Sequence, residues 1–271
     1  MRSSHLSVIT FLSIFLVACG SREPPPGDWN DPATDPANDP ANGPAEGETL
    51  GGQVTHSLAL QALRDEMVRL QIEARGVNDT AVLRVMREVP RHLFVPGAPV
   101  AQAYGDHPLP IGLDQTISQP YIVAFMAVAA DISPTDRVLE IGTGSGYGAA
   151  VLGELAAEVF TIKILPELAE RAETVLVQLG YENVSVRTGN GWLGWPEHAP
   201  YDAIVVTAAP DEIPPELARQ LTVGGVLVVP VGEVVQTLRV LRKTASGLEE
   251  EASLPVRFVP MVRERPDTGG G

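Results

Sequence analysis

The feature that most constrains the fold is a glycine-rich turn placed between an apolar segment and a helix-like segment. The stretch "RVLEIGTGSGYGAAVLGEL" passes from a short apolar strand through closely spaced glycines into a helical pattern. Glycine tolerates positive φ and lets a ligand approach the backbone closely. A strand, a glycine turn and a helix in this order are typical of ligand-binding α/β proteins.

Strand and helix patterns alternate after this turn. The segments "EVFTIKI", "VSVRTG", "YDAIVVTAA" and "GGVLVVPVG" are apolar strands, with "PELAERAETVLVQLG" and "PPELARQL" as helices between them. The late segments "QTLRVLRKT" and "EASLPVRFVPMV" are predicted as strands that pair antiparallel. The pattern predicts an α/β fold with a doubly wound, mostly parallel sheet and a ligand at the carboxyl ends of the strands.

Helical segments precede the sheet. "SLALQALRDEMVRLQIEARG" has helical spacing and ends at Gly76, which predicts a left-handed C-terminal cap. Asp79 is positioned to cap a second helix, "TAVLRVMREV". The segments "RHLFVP" and "DHPLPIGLDQTIS" are predicted as ordered loops and short strands. The expected domain therefore begins with helices and continues into the sheet.

The spacing of the turn glycines bears on the ligand. The turn has Gly142, Gly144 and Gly146, preceded by Glu140, in a G-x-G-x-G pattern. The dinucleotide fingerprint is G-x-G-x-x-G. An acid beside the turn can offset the ammonium and sulfonium charges of S-adenosylmethionine, whereas it would repel a pyrophosphate. The turn thus favours S-adenosylmethionine, with a dinucleotide left open at this stage.

The N-terminus has a different character from the domain. A short apolar run ends in "LVACG", which resembles the lipobox of bacterial lipoproteins, with Cys19 as the lipidated residue. Residues 20–55 are rich in Pro, Asp, Asn and Gly, which predicts a disordered linker. We expect a signal peptide over residues 1–19 and a folded domain over residues 56–271. Cys19 is the only cysteine, so no disulfide can form within the chain.

Charge and histidine content limit the possible partners. The formal net charge of −15 disfavours nucleic acid as a partner. The five histidines have no ligand spacing, and no metal site is predicted. Membrane contact is expected only through a lipid anchor at Cys19.

Several motifs together resemble a known enzyme family. "VLRVMREVPRHLFVP", "AYGDHPLPIG", "QTISQPY", "VLEIGTGSGY" and "VRFVP" occur in this order within residues 64–261. They resemble the protein-L-isoaspartate (D-aspartate) O-methyltransferases. The resemblance implies an S-adenosylmethionine-dependent, Rossmann-like methyltransferase that esterifies the α-carboxyl of L-isoaspartyl and D-aspartyl residues in damaged proteins. The ester then closes to a succinimide, which reopens partly to aspartate.

The resemblance also assigns roles to residues. Ser118 matches the family's active-site serine, although its place before "QPYIVAFMAVAA" is equally that of a helix N-cap. The stretches that match the peptide cleft contain Asp106, Thr116, Ile117 and Gln119. The expected cofactor-binding residues are Glu140, Gly142, Thr143, Gly144, Gly146, Lys163, Asn190 and Gly191.

Three positions depart from the family pattern. Lys163 stands where the second strand usually ends in an acid that accepts the ribose hydroxyls, and lysine has donors only. Glu167 lies one helical turn away and is a candidate substitute. Asn190 replaces the aspartate of the usual Gly-Asp-Gly, and Gly148 stands where relatives often have glutamine. These departures predict weakened cofactor binding.

Three functional hypotheses follow. The first is an active isoaspartyl methyltransferase, and the alternative is a catalytically weakened relative that acts as a binding module. The third is an unrelated nucleotide enzyme, since a lysine near a ribose also suits a 2′-phosphate. The signal predicts a cell-envelope lipoprotein, against the cytoplasmic location usual in the family. We expect the protein to be a monomer.

Overall fold

A computed structural model describes residues 50–95 and 97–263 of the chain. The predicted signal peptide, the linker residues 20–49 and the end of the chain lie outside the described residues. The predicted linker is shorter than expected, because the first helix begins at Leu50 rather than after residue 55. Helices extend cooperatively once a stable segment has formed, and the apolar segment after residue 56 supplies that segment.

Two of the helix ends predicted from the sequence are observed in the structure. Asp79 caps the second helix as predicted, since its Oδ1 accepts a hydrogen bond of 2.9 Å from Val82 N. Gly76 ends the first helical segment with φ at 92°, also as predicted. The α-helices are α1 (Leu50–Met67), α2 (Thr80–Glu88), α3 (Val100–Ala103), α4 (Pro120–Ala129), α5 (Tyr147–Gly153), α6 (Pro166–Gln178) and α7 (Pro215–Gln220).

Two sheets contain the described strands. A small antiparallel hairpin is formed by β1 (Leu109–Gly112) and β2 (Gln115–Ile117). The large sheet has the order β5-β4-β3-β6-β7-β8-β9, with parallel pairing through β7 and antiparallel pairing beyond it. Its strands are β3 (Arg137–Ile141), β4 (Glu158–Lys163), β5 (Val184–Thr188), β6 (Tyr201–Val206), β7 (Leu221–Val231), β8 (Gln236–Thr244) and β9 (Gly247–Val256).

The strand order places a topological switch point at β3. The chain moves from β3 outward through β4 to β5, and then returns to β6 on the other side of β3. A ligand crevice is expected outside the carboxyl ends of strands at such a point. The predicted α/β, doubly wound and mostly parallel fold with N-terminal helices is confirmed.

The central strands are buried on both faces. Val138, Leu139, Ile204 and Leu227 have no exposed surface, as expected for parallel strands covered by helices. The last strand differs from its prediction: it begins at Gly247, four residues early, and ends at Val256. The chain beyond it crosses back to the site, where Met261 N donates to Ala209 O at 2.7 Å.

No described helix combines the length and the apolar character needed to cross a bilayer.

Candidate active site

The glycine turn adopts a backbone conformation that other residues rarely tolerate. Gly142, Gly144 and Gly146 have φ values of 106°, 55° and 91°. Thr207, which follows β6, holds the turn from the neighbouring strand, because its Oγ1 donates to Gly142 O at 2.7 Å. A Cβ atom at Gly142 would collide with that same hydroxyl. The turn is therefore shaped by its own sequence and by the end of β6.

Gly146 allows two helices to pack closely and does not line the inner cavity described below. It is the N-terminal cap of α5, and a Cβ there would lie 3.3 Å from Ala172 Cβ on α6. This is tighter than ordinary van der Waals contact, so glycine lets α5 approach α6. Of the predicted cofactor residues, Gly146 is thus assigned to the close packing of the two helices behind the turn.

A cavity of about 60 Å³, here called the inner cavity, lies between the glycine turn and the segment that contains Ser118. Much of its apolar lining comes from α4 and α5, and Glu140 and Lys163, near the carboxyl ends of β3 and β4, also line it. Its polar and backbone lining contains Gln115, Thr116, Ile117, Ser118, Glu140, Gly142, Thr143, Gly144, Ser145, Gly148, Lys163 and Thr207. The structure thus brings the predicted active-site serine and most of the predicted glycine-turn residues to one cavity.

Ser118 does not cap the helix that follows it. The N-cap of α4 is Gln119, and it forms no side-chain cap hydrogen bond. Ser118 instead contributes its carbonyl oxygen to Arg91, whose Nη2 donates to it at 2.8 Å. Arg91 is fully buried and its Nε donates to Ala103 O at 2.8 Å. The buried guanidinium of Arg91 therefore holds the backbone of Ser118 in place, and Ser118 lines the inner cavity.

Glu140 is a buried acid at the end of β3. It is 1% exposed, and Thr161 Oγ1 donates to its Oε2 at 2.6 Å. Thr143 continues this network, with its Oγ1 2.7 Å from Thr161 Oγ1. Burial raises the pKa of Glu140 to about 8, against the opposing effects of the Thr161 hydrogen bond and the charge of Lys163. The inner cavity thus holds an acid that ionises more readily when a positive charge arrives.

Lys163 lies at the corresponding end of β4. Its side chain is largely buried, and its Nζ donates to Gln115 Oε1 at 2.5 Å. Burial lowers the pKa of Lys163 to about 8, and the nearby Glu140 carboxylate acts in the opposite direction. The lysine that departs from the family pattern therefore connects the large sheet to the β1–β2 hairpin.

A second and larger cavity, here called the outer cavity, has a volume of about 270 Å³. It lies between the hairpin, the end of β4 and the segment that follows β9. Glu167, the candidate substitute for the family's acid, is among the residues that line it. The lining comprises Leu113, Asp114, Gln115, Ile141, Gly142, Ile162, Lys163, Ile164, Leu165, Glu167, Gly191, Ala208, Pro260, Met261 and Val262.

Asn190 does not line either cavity. Its Oδ1 accepts from Trp192 N at 2.9 Å, and its Nδ2 donates to Arg263 O at 2.6 Å. Gly191 beside it lines the outer cavity, and a Cβ there would collide with Ile141. The structure therefore gives Asn190 a supporting position, since it fastens the segment after β9 next to the outer cavity.

Two predicted substrate-binding residues lie outside the cavity linings, close to Ser118. Asp106 Oδ1 accepts from Gln119 Nε2 at 2.8 Å, and its Oδ2 lies 3.3 Å from Arg75 Nη1. Arg75 in turn covers the ring of Tyr121, with 3.5 Å to its centroid. Asp106 and Gln119 thus belong to a surface cluster at the start of α4, whereas Thr116 and Ile117 line the inner cavity itself.

Sequence reasoning did not assign Gln115, Thr207 or Asp114 to the site. Thr207 could have been found, because it follows the strand next to β3 and carboxyl-end residues of adjacent strands meet. Gln115 and Asp114 carry no such signal, since their position depends on how the β1–β2 hairpin folds over the sheet.

The residues present fit S-adenosylmethionine. The inner cavity offers a buried acid, hydroxyls and glycine backbone to a charged, zwitterionic group. The outer cavity offers apolar walls such as Ile162, Leu165 and Met261 to a flat heterocycle. Gln115, Gly142, Lys163 and Ala208 line both cavities, so one elongated ligand can occupy the two together. Among the described residues, no group of three or more His, Cys, Asp or Glu side chains is placed to hold a metal ion.

Comparison with known proteins places the chain in a sequence family. The profile described as "Protein-L-isoaspartate(D-aspartate) O-methyltransferase (PCMT)" matches residues 62–266. A Protein-L-isoaspartate O-methyltransferase of Picosynechococcus sp. is 58% identical over 200 residues, which is 74% of this chain and 90% of that protein. A protein of the same name from Gloeobacter violaceus is 58% identical over 202 residues, with 74% of this chain and 98% of that protein covered.

Solved structures agree with the sequence comparison. A protein-L-isoaspartate O-methyltransferase structure is 31% identical, with a TM-score of 0.68 over 73% of this chain and 65% of that chain. A Plasmodium falciparum structure, described as a beta-aspartate methyltransferase (PCMT) in complex with S-adenosyl-L-homocysteine, is 22% identical with a TM-score of 0.65. It covers 74% of this chain and 99% of its own, and at this identity the likeness shows the fold alone.

Proposed function

Because the chain belongs to the protein-L-isoaspartate(D-aspartate) O-methyltransferase family, we propose that it methylates the α-carboxyl of L-isoaspartyl and D-aspartyl residues in damaged proteins. S-Adenosylmethionine is the methyl donor, and the ester starts repair through a succinimide. The family and the enzyme class expected from the sequence are confirmed. The single observation that carries the proposal beyond the family match is the inner cavity shared by Ser118 and the glycine turn.

The main task of the protein in this methyl transfer is to position the two reactants. The attacking group is a carboxylate that is ionised at neutral pH, so it needs no general base. The donor supplies an activated methyl group when it is bound. Ser118 and Thr116 offer hydroxyl groups that orient the carboxylate, and Arg91 fixes the backbone of Ser118 from behind. Rate enhancement then comes from alignment of the two reactants and from exclusion of water.

The hypothesis of a weakened relative that only binds finds no support in the comparisons. Relatives at 58% identity carry the enzyme's name, and the family profile spans most of the chain. The departures at Lys163 and Asn190 also have structural partners of their own, Gln115 and Arg263. We therefore treat the departures as changes in how the cofactor is held.

The test is transfer of radiolabelled methyl from S-adenosylmethionine to an isoaspartyl peptide by the purified chain, run beside Lys163→Glu. The proposal expects base-labile label on the isoaspartyl peptide with the natural chain. A gain of activity in Lys163→Glu would show that the lysine costs cofactor affinity. Absence of label in both proteins, with intact folding, would overturn the proposal.

The cellular location is a separate part of the proposal and is supported by sequence alone. "LVACG" and the Pro- and Asp-rich segment after it support a lipoprotein anchored at Cys19, with the domain on the periplasmic side of the cell envelope. The cofactor is made in the cytoplasm, so this location implies scarce donor, and a cytoplasmic enzyme is the alternative. Incorporation of labelled fatty acid that is lost in Cys19→Ser, together with release from the membrane fraction, distinguishes the two.

The protein is proposed to act as a monomer on proteins or peptides that contain isoaspartate. Light scattering of the purified chain tests this, and a mass of two or more chains would contradict it.

A further inference from the structure

The hydrogen bond between Lys163 and Gln115 lies where the two cavities of the site meet. Lys163 Nζ donates to Gln115 Oε1 at 2.5 Å, and both residues line the inner cavity and the outer cavity. A ligand that occupies both cavities must therefore pass these two side chains. In S-adenosylmethionine the ribose joins the adenine at one end to the methionine, with its sulfonium centre, at the other. Its middle part is the ribose.

The volumes indicate which end of the ligand lies on which side. The outer cavity is about 270 Å³ and largely apolar, against about 60 Å³ for the inner cavity with its acid, hydroxyls and glycine backbone. The bulky, flat base fits the outer cavity, and the charged amino-acid end fits the inner cavity. This orientation leaves the sugar beside Lys163 and Gln115.

The two side chains offer complementary groups to a sugar diol. A lysine ammonium has donors only, whereas the glutamine oxygen accepts. Each ribose hydroxyl can both accept and donate one hydrogen bond. Gln115 is held in this orientation because its Nε2 donates to Asp114 O at 3.2 Å, which leaves its oxygen toward Lys163.

We propose that Lys163 and Gln115 together bind the ribose hydroxyls of the cofactor, and that their mutual hydrogen bond opens to admit them. Lys163 Nζ donates to one hydroxyl oxygen, and the other hydroxyl donates to Gln115 Oε1. This rests on the proposed function and names the residues that replace the family's acid. The carboxylates of Asp114 and Glu167, which line the outer cavity, are the competing acceptors.

Opening of the hydrogen bond between Lys163 and Gln115 also affects the segment that contains the active-site serine. Gln115 is the first residue of β2, which runs directly to Ser118. When the sugar replaces Lys163 as the partner of Gln115, the hairpin is joined to the sheet through the cofactor. The amides of Gln115 and Thr116 should therefore exchange hydrogen at a rate that depends on the cofactor in the natural chain.

The first test uses S-adenosylhomocysteine and its 2′-deoxy and 3′-deoxy analogues, with binding measured by calorimetry. The natural chain should lose about tenfold in affinity for at least one deoxy analogue, as expected for one hydrogen bond to a charged or strongly polar partner. Lys163→Met should reduce the loss to less than about twofold for one deoxy analogue, and Gln115→Leu should do so for the other, since each variant removes the partner of one hydroxyl. Lys243→Met is the control: Lys243 Nζ likewise donates a hydrogen bond, to the backbone carbonyl oxygen of Arg219, and Lys243 lines neither cavity.

The second test measures hydrogen exchange of β2 with and without S-adenosylhomocysteine. The natural chain and Lys243→Met should show a cofactor-dependent change in the exchange rate of β2, and Lys163→Met should show a smaller change.

The binding test has one result that would overturn the proposal: each deoxy analogue loses as much affinity in Lys163→Met and Gln115→Leu as in the natural chain. That result would assign the hydroxyls to Glu167 or Asp114. That result leaves the proposed function intact, because the parent ligand still binds. If S-adenosylhomocysteine does not bind the natural chain, both proposals fail together. If Lys163→Met does not fold, Gln115→Leu gives the answer alone.

Discussion

The carboxylate oxygen Oε1 of Glu140 lies within collision distance of the position that a Cβ atom at Gly148 would occupy, so a side chain at this position requires Glu140 to move. Gly148 is the second residue of α5, where alanine is otherwise preferred by about 1 kcal/mol. The glycine, which departs from the family pattern, therefore has a local reason: it makes room for the buried acid.

This contact predicts that Gly148→Ala changes the free energy of unfolding in opposite directions in the natural chain and in a Glu140→Ala variant. In the natural chain, Gly148→Ala should lower the free energy of unfolding by about 1–3 kcal/mol, because overpacking of a buried contact outweighs the helix preference. In a Glu140→Ala background the same change should raise it by about 0.5–1 kcal/mol. Urea unfolding of the four proteins measures both effects. Equal effects in the two backgrounds would show that the contact does not determine the residue at 148.

Ser118→Ala should reduce activity much more than stability. Ser118 lines the inner cavity, and its backbone carbonyl, which alanine keeps, accepts a hydrogen bond from Arg91. Loss of one orienting hydrogen bond predicts a fall in kcat/KM of about ten- to a hundredfold. The melting temperature should stay within about 2 °C, since no described helix cap is removed.

Thr174→Ala is the matched control for this prediction. Its hydroxyl donates to Glu170 O on the exposed face of α6, and Thr174 lines neither cavity. We expect full activity from Thr174→Ala. Unchanged kcat/KM in Ser118→Ala would remove the serine from the site.

Cofactor binding should release protons near neutral pH. Burial raises the pKa of Glu140 to about 8, so below that pH the side chain is mostly the neutral acid, and burial lowers the pKa of Lys163 to about 8. A positively charged ligand favours the carboxylate of Glu140, which releases a proton. Affinity for S-adenosylmethionine should therefore rise as the pH increases through about 8.

Calorimetric titrations in two buffers of different ionisation enthalpy measure the protons released. The ligand carries an α-amino group whose own pKa is about 8. Glu140→Gln separates the two sources, because it keeps an acceptor for Thr161 but cannot ionise. The release should be smaller in Glu140→Gln. An equal release in both proteins would assign the protons to the ligand or to Lys163.

Asn190→Asp, which restores the family's usual residue, should loosen the segment after β9. The aspartate keeps the cap on Trp192 N but cannot donate to Arg263 O. Loss of that bond is worth about 1 kcal/mol and should speed amide exchange at Met261 to Arg263. Asn183→Asp is the control, since Asn183 Nδ2 also donates to a backbone carbonyl, that of Gly153. Unchanged exchange at Met261 to Arg263 in Asn190→Asp would contradict this role.

Most of the fold was predictable because its signals are local. The glycine turn, the apolar strands and the caps at Gly76 and Asp79 each depend on neighbouring residues, and the structure confirms them. The start of α1 at Leu50 was not predicted, since composition pointed to a linker there. Helix extension from a stable segment outweighs that local preference.

The three departures show where sequence reasoning stops. The sequence identified Gly148, Lys163 and Asn190 as unusual and predicted weaker cofactor binding from them. Their partners lie 8, 48 and 73 residues away, so only the folded chain reveals them. Each replacement has a neighbour that it fits: Gly148 leaves room for the Glu140 carboxylate, and Lys163 and Asn190 donate hydrogen bonds to Gln115 Oε1 and Arg263 O. Whether cofactor binding is weaker stays a prediction for titration.

The central claim is tested most directly by the ratio of kcat/KM for two peptides that differ only in one linkage, isoaspartyl against aspartyl, with labelled S-adenosylmethionine as the donor. The account predicts methyl ester on the isoaspartyl peptide and at most a trace on the aspartyl peptide, with the ester decaying to succinimide. Equal transfer to both peptides, or no transfer to either by a folded protein that binds S-adenosylhomocysteine, would contradict it.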